Sequence, residues 1–188
     1  TFSFASRIVD VKSATVQSYP ITDTEFAKFT KTDFTLAIPE GTARRAKFIY
    51  INYPNNPTGA VATKAFYEKL VAWAKTYEVG VVSDLAYGAL GYQGYENPSF
   101  LSTPGAKDVG IEFYTFSKTF NMAGWRLAFA AGNDQMIEAL NLIQDHLFVG
   151  IFPALQEAGI AALLDPKSEE AVAQLNATYD SRRDAFVQ

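Results

Sequence analysis

Short apolar runs alternate along this chain with longer segments whose apolar residues recur every three or four positions. Lys47 to Tyr53 (KFIYINY), Val79 to Ser83 and Ile111 to Phe116 are apolar-aromatic runs of strand length, and Leu127 to Ala131 is a fourth. Between the first two, Phe66, Leu70, Trp73, Ala74 and Tyr77 keep helical spacing behind Thr63, a suitable N-cap. Asp134 to Leu147 and Pro153 to Leu164 read as helices, and Asp165-Pro166 predicts the start of a last one. Upstream, Val9 to Tyr19 reads as one loosely alternating strand closed by Pro20. Residues 21–45 are polar and turn-rich, with helical character around Glu25 to Phe29.

The strands are nearly all apolar, which is the pattern of a sheet covered on both faces. Alternation of such strands with helices predicts an α/β fold, a three-layer α/β/α arrangement around a mainly parallel sheet. In sheets of this kind ligands gather beyond the carboxyl ends of the strands. Three polar clusters fall there. Asn56 lies in Pro54-Asn55-Asn56-Pro57-Thr58-Gly59, a turn stiffened by proline and freed at its end by glycine. Asp84 directly follows Val79 to Ser83, and Lys118 follows Ile111 to Phe116 in a loop of small and hydroxyl residues. The Gly/Tyr/Asn/Pro-rich segment from Tyr87 to Thr103 is long enough to carry function.

Composition narrows the chemistry. Of the 188 residues, 48% are hydrophobic and 19% charged, enough apolar material for a sizeable core. A net charge of -4 with no basic block gives nucleic-acid binding no support. There is no cysteine, and His146 is the sole histidine, which argues against a disulfide framework, a transition-metal site or a His-based triad. The lack of cysteine fits a cytoplasmic protein. No run of 18 apolar residues or signal pattern is present, so a membrane partner is not expected.

Each residue at the strand ends has a plain structural alternative. Lys118 could be a surface lysine, but a lysine placed where charge is costly loses its proton readily, as a Schiff-base lysine must. Asp84 could cap a turn. As a carboxylate leaving a buried strand it calls for a cationic or donor partner. Tyr87 could be a packed aromatic and Asn56 a turn former. Arg126 could pair with an acid, although its fork also suits a phosphate. Thr115 and Ser117 could be ordinary strand-end polarity. Together they match one cofactor, pyridoxal 5'-phosphate: a lysine for its aldehyde, an aspartate for its ring nitrogen, donors for its ring hydroxyl, and Arg with hydroxyls for its phosphate.

Three motifs then carry a family resemblance: NYPNNPTG at 52–59, SDLAYGAL at 83–90 and TFSKTFNMAGWR at 115–126. In their order and spacing the chain resembles the class I/II aminotransferases of fold type I, the aspartate aminotransferase family. FSKTFNMAGWR with FVGIFPALQEAGIAALL is similar to bacterial diaminopimelate and aromatic aminotransferases. The resemblance implies that Lys118 is the Schiff-base lysine and proton shuttle, and that Asp84 pairs with the pyridine nitrogen. It implies Tyr87 and Asn56 at the ring hydroxyl, with Asn56 also at the substrate carboxylate. Thr115, Ser117 and Arg126 would line the phosphate site. Amino acids and 2-oxo acids would be the substrates, and a homodimer with shared active sites the assembly. Alternatives on the same site are a carbon–sulfur lyase, a cyclopropane-forming synthase, or the aminotransferase-like domain of a transcription regulator.

The chain starts without Met and ends inside a helical pattern, NATYDSRRDAFVQ. The expectation is a central portion of the family's large cofactor-binding domain spanning residues 1–188, incomplete at both ends, with the helix from Pro166 leading towards a small domain. Such a piece by itself is expected to hold cofactor weakly and to be inactive.

Overall fold

In the computed structural model, which describes residues 7–10, 15–18, 38–147 and 149–187, the apolar runs pair into one six-stranded sheet. Its strands are β1 (Arg7–Asp10), β2 (Thr15–Ser18), β3 (Phe48–Asn52), β4 (Gly80–Asp84), β5 (Gly110–Thr115) and β6 (Ala128–Gly132), in the order β2-β1-β3-β4-β5-β6. The centre, β3-β4-β5, is parallel. Antiparallel strands extend it at both edges, β1 on β3, β2 on β1, and β6 on β5. The α/β class read from the sequence therefore holds, and its site-bearing strands run parallel.

The single strand expected over Val9 to Tyr19 is instead two strands. Val9 pairs with Val16 and Asp10 with Thr15, so the segment doubles back as an antiparallel pair. Loose alternation in sequence does not show where a strand reverses. The helical character expected at Glu25 to Phe29 lies outside the described residues.

The helices are α1 (Glu40–Ala43), α2 (Lys64–Tyr77), α3 (Ala106–Val109), α4 (Phe116–Thr119), α5 (Asp134–Leu147), α6 (Pro153–Leu164) and α7 (Ser168–Val187). Thr63 caps α2 as its position suggested, its hydroxyl oxygen accepting from the Phe66 amide at 3.1 Å. Glu78 ends that helix in the left-handed region, φ 54°. The last helix begins at Ser168, two residues beyond Pro166. The Asp165 carboxylate receives the Lys167 amide at 2.8 Å, which defers the start.

The main core lies where α2 meets β3 and β4. Ile49, Ile51 and Val81 share one face of the sheet and pack against Phe66, Leu70, Val71 and Ala74. Tyr53 meets Phe66 edge-on with ring centroids 5.4 Å apart, and Tyr67 meets Phe100 in the same way at 5.8 Å. Gly110 lets β5 start close against β4. A Cβ there would stand 2.6 Å from the Val81 carbonyl oxygen. The rest of the sheet is more open, with Tyr50 45% exposed, and neither α5 nor α7 buries any side chain fully.

Leu70 is fully enclosed in this core. Leu70→Ala is expected to destabilise the protein by about 2–5 kcal/mol, measured by denaturant unfolding. A loss below about 1 kcal/mol would mean that α2 does not pack on the sheet as described.

Candidate active site

The parallel register fixes where the polar residues emerge. Asn52 stands opposite Asp84 at the ends of β3 and β4, and Asp84 stands opposite Phe113 near the end of β5. Asn52 fastens this edge. Its Nδ2 donates to the Asp84 carbonyl at 3.0 Å, and its Oδ1 accepts from the Asn56 amide at 3.1 Å. The 54–59 turn is closed by Asn55, whose amide donates to the Ala60 carbonyl and whose Oδ1 accepts from the Thr58 hydroxyl at 2.7 Å. The turn is thus tied to the strand end that carries Asp84.

Across the edge, Asn56 Nδ2 donates to the Tyr87 hydroxyl at 3.2 Å. The Lys118 ammonium lies over the Tyr87 ring, 5.8 Å from its centre. Asn56, Tyr87 and Lys118 therefore converge directly, and Asp84 joins them through Asn52. Lys118 was expected in a loop. It sits instead on α4, a single helical turn that starts as β5 ends. Thr115 caps that turn by accepting the Ser117 amide at 3.2 Å and donates to the Ser117 hydroxyl at 3.0 Å. Buried Phe116 and Thr119 anchor it, and the Tyr114 hydroxyl donates to Thr119 Oγ1 at 2.7 Å. The lysine is also exposed, contrary to the expectation of a costly buried position, because the turn buries Phe116 and Thr119 and aims Lys118 outward.

Asp84 departs from expectation in a related way. A carboxylate leaving a buried strand calls for a cationic or donor partner, yet Asp84 is exposed and forms no ion pair among the described residues. The strand ends at the rim, so the side chain clears the core. The surrounding protein still withholds enough water to push its carboxyl above the usual range, and a bond from the Ala86 backbone opposes this only in part. A carboxylate whose charge is uncompensated favours an incoming cation or N–H donor. Arg126 does not reach the cluster. It stands in the left-handed region, φ 55°, and its Nη1 donates to the Ala123 carbonyl at 2.9 Å. Its link to the site runs through the backbone, since the Leu127 carbonyl accepts from the Phe116 amide at 3.2 Å.

Beside the Asn56–Tyr87 pair opens a cleft of about 360 Å³ between the 54–59 turn and the 87–97 loop, walled by Pro54, Leu90, Tyr92 and Tyr95. Sequence reasoning passed over Asn52, although it opens the NYPNNPTG motif. It also passed over Glu112, hidden in a run that reads as apolar, and Asn97. The donor set fits an aldehyde-bearing pyridine phosphate: an amine, an uncompensated carboxylate, a phenol–amide pair and two hydroxyls on one edge.

The whole chain, residues 1–188, matches the model of the family described as aminotransferase class I and II, and it belongs to that family. It is similar to the L-glutamine--4-(methylsulfanyl)-2-oxobutanoate aminotransferase of Bacillus subtilis, 57% identical over 143 residues, which are 76% of this chain and 35% of that protein. To the LL-diaminopimelate aminotransferase of Moorella thermoacetica it is 51% identical over 152 residues, 81% of this chain and 38% of the relative. The chain thus spans between a third and two fifths of these relatives' length. Among solved structures, substrate-bound BacF from Bacillus subtilis superposes with a TM-score of 0.80 at 44% identity, covering 90% of this chain and 42% of that one.

The raised Asp84 carboxyl has a consequence for stability. The folded state holds this proton to higher pH than the unfolded chain, so folding loses stability as pH rises above the ordinary carboxylate value of about 3.9. Asp84→Asn should therefore leave the cofactor-free protein as stable as the parent, or more so, at pH 7. The advantage should shrink towards pH 4. Thermal unfolding at both pH values checks this, and a loss of stability at pH 7 would contradict it.

Proposed function

We propose that the protein is a pyridoxal-phosphate-dependent aminotransferase that moves an amino group between an amino acid and a 2-oxo acid. What supports this most is the convergence of Lys118, Tyr87 and Asn56 beside Asp84 at one sheet edge, in a chain that belongs to the class I and II family. The named relatives are aminotransferases, which favours this activity over a lyase, a synthase or a regulator. Lys118 Nζ would hold the cofactor at its aldehyde carbon, with water as the leaving group, and the same amine would carry a proton to and from the substrate α-carbon. Asp84 would hold a proton on the pyridine nitrogen. Its uncompensated carboxylate suits that task, because a cationic partner relieves the cost of its charge. The Tyr87 hydroxyl and Asn56 Nδ2 would orient the ring through its hydroxyl, with Asn56 also meeting the substrate carboxylate. Thr115, Ser117 and Arg126 would bind the phosphate, Arg126 by exchanging the Ala123 carbonyl for the anion. The bound cofactor supplies an electron sink for the charge that develops at the substrate α-carbon.

A homodimer is part of the proposal. Leu147, Phe152, Leu164 and Phe186 are each at least 70% exposed in the single chain, which is apolar surface of the kind subunits cover. The absence of cysteine supports a cytoplasmic setting. No helix among the described residues is long and apolar enough to cross a membrane.

The intact protein should transfer amino groups to 2-oxoglutarate from at least one donor in a panel that includes glutamine and LL-diaminopimelate. Lys118→Ala should abolish the transfer, and Asp84→Asn should lower it by about 10²-fold or more while the fold persists. Near-normal turnover in either variant would overturn the assignment of that residue. Light scattering at micromolar concentration should report a dimer, and a fully active monomer would refute the assembly.

A further inference from the structure

Glu112 is a carboxylate in the middle of β5 with 6% exposure and no cation beside it among the described salt bridges. Such a group is costly unless hydrogen bonds replace its water. Here they do. Oε2 accepts from the Ser83 hydroxyl at 2.9 Å and from the Phe100 amide at 2.9 Å, and Oε1 accepts from the Ser99 hydroxyl at 2.5 Å. Ser83 is its cross-strand neighbour on β4 and immediately precedes Asp84. One side chain thereby joins β4, β5 and the far end of the Tyr87 loop.

The near end of that loop is held by Asn97. Its Nδ2 donates to the carbonyls of Leu90 at 2.8 Å, Gly88 at 3.2 Å and Tyr87 at 3.4 Å. Acceptors alone surround this group, so an amide nitrogen is what the position requires. Asn97 is two residues before Ser99, so the contacts run without a break. Glu112 holds Ser99, Asn97 holds the Tyr87 backbone, and the Tyr87 hydroxyl meets Asn56. On β4 the position opposite Glu112 is Ser83, the residue whose hydroxyl it accepts.

We propose that Asn97 and Glu112 form a two-point clamp that positions Tyr87 over the edge bearing Asp84 and Lys118. Both are positioning residues: neither reaches the cluster, and both act through the Tyr87 backbone. The effect on catalysis rests on the aminotransferase reading above, whereas the clamp itself does not. A displacement of about 1 Å at a positioning group is enough to cost up to 10²-fold in rate.

Two arms test this on the intact protein. In the cofactor-free form, Asn97→Ala should speed hydrogen exchange at the Gly88 and Leu90 amides by about 10-fold or more, because they bond only locally, to the Leu85 and Tyr87 carbonyls. Glu112→Ala should do the same. Glu112→Gln should largely restore protection, because an amide oxygen can still accept from Ser83 and Phe100. Unchanged exchange in Asn97→Ala overturns the clamp. In the cofactor-loaded form, Asn97→Ala should lower kcat by about 10-fold and shift the visible absorbance of the bound cofactor in the direction that Tyr87→Phe does. Added to Tyr87→Phe, it should cost little more. An equal cost in both backgrounds would mean that Asn97 does not act through Tyr87. Should the parent protein show neither cofactor absorbance nor transfer, the proposed function fails, and the exchange arm still decides the clamp.

Discussion

Asn52 reaches across two parallel strands to the Asp84 carbonyl and receives the backbone of Asn56 on its other atom. The rest of the site depends on this contact and on the parallel register beneath it. Parallel strands end on the same side of a sheet, so three stretches far apart in sequence deliver their next residues to one rim. Each then turns in its own way. The first enters a turn closed by Asn55, the second a loop closed by Asn97, and the third a single helical turn capped by Thr115. Different local devices thus deliver Asn56, Tyr87 and Lys118 to one small region.

Packing and chemistry are divided between the two faces of the sheet. Ile49, Ile51, Val81, Ser83 and Glu112 face the side where α2 buries the core. Asn52 and Asp84 face the other way, where the surface is open. Alternation along a strand makes this separation automatic. It also explains how a rim aspartate can carry an uncompensated charge while the adjacent Ser83 and Glu112 satisfy each other in the interior. The main core packs on one face, and the other, although Val82 and Ile111 are buried there, carries at its rim the uncompensated charge that a cationic ligand would relieve.

Much of this was legible in the sequence, and the reasons are local. The Thr63 cap, the helix behind it, both ends of α5 and α6, and the strands that lead to Asp84 and Lys118 follow from periodicity and capping chemistry, which act over a few residues. That Asn56, Asp84, Tyr87 and Lys118 gather at one rim was legible because three motifs sit at strand ends. What escaped needed partners far along the chain. The reversal between β1 and β2 is a pairing choice. The exposure of Asp84 depends on where β4 stops at the rim. Glu112 looks like a lapse in an apolar run until Ser83, Ser99 and Phe100 are brought to it from 29, 13 and 12 residues away. The sequence shows Lys118 just past the end of β5 but not the helical turn it occupies, because four residues are too few to show helical periodicity.

Under the proposed function, Lys118 is the residue to which the cofactor would be joined. Borohydride reduction of the intact, cofactor-loaded protein, followed by peptide mapping by mass spectrometry, shows which lysine is joined. A single phosphopyridoxyl-modified peptide carrying the mass increment on Lys118 is expected. Modification of a different lysine, or none in a protein that visibly holds the cofactor, would contradict it.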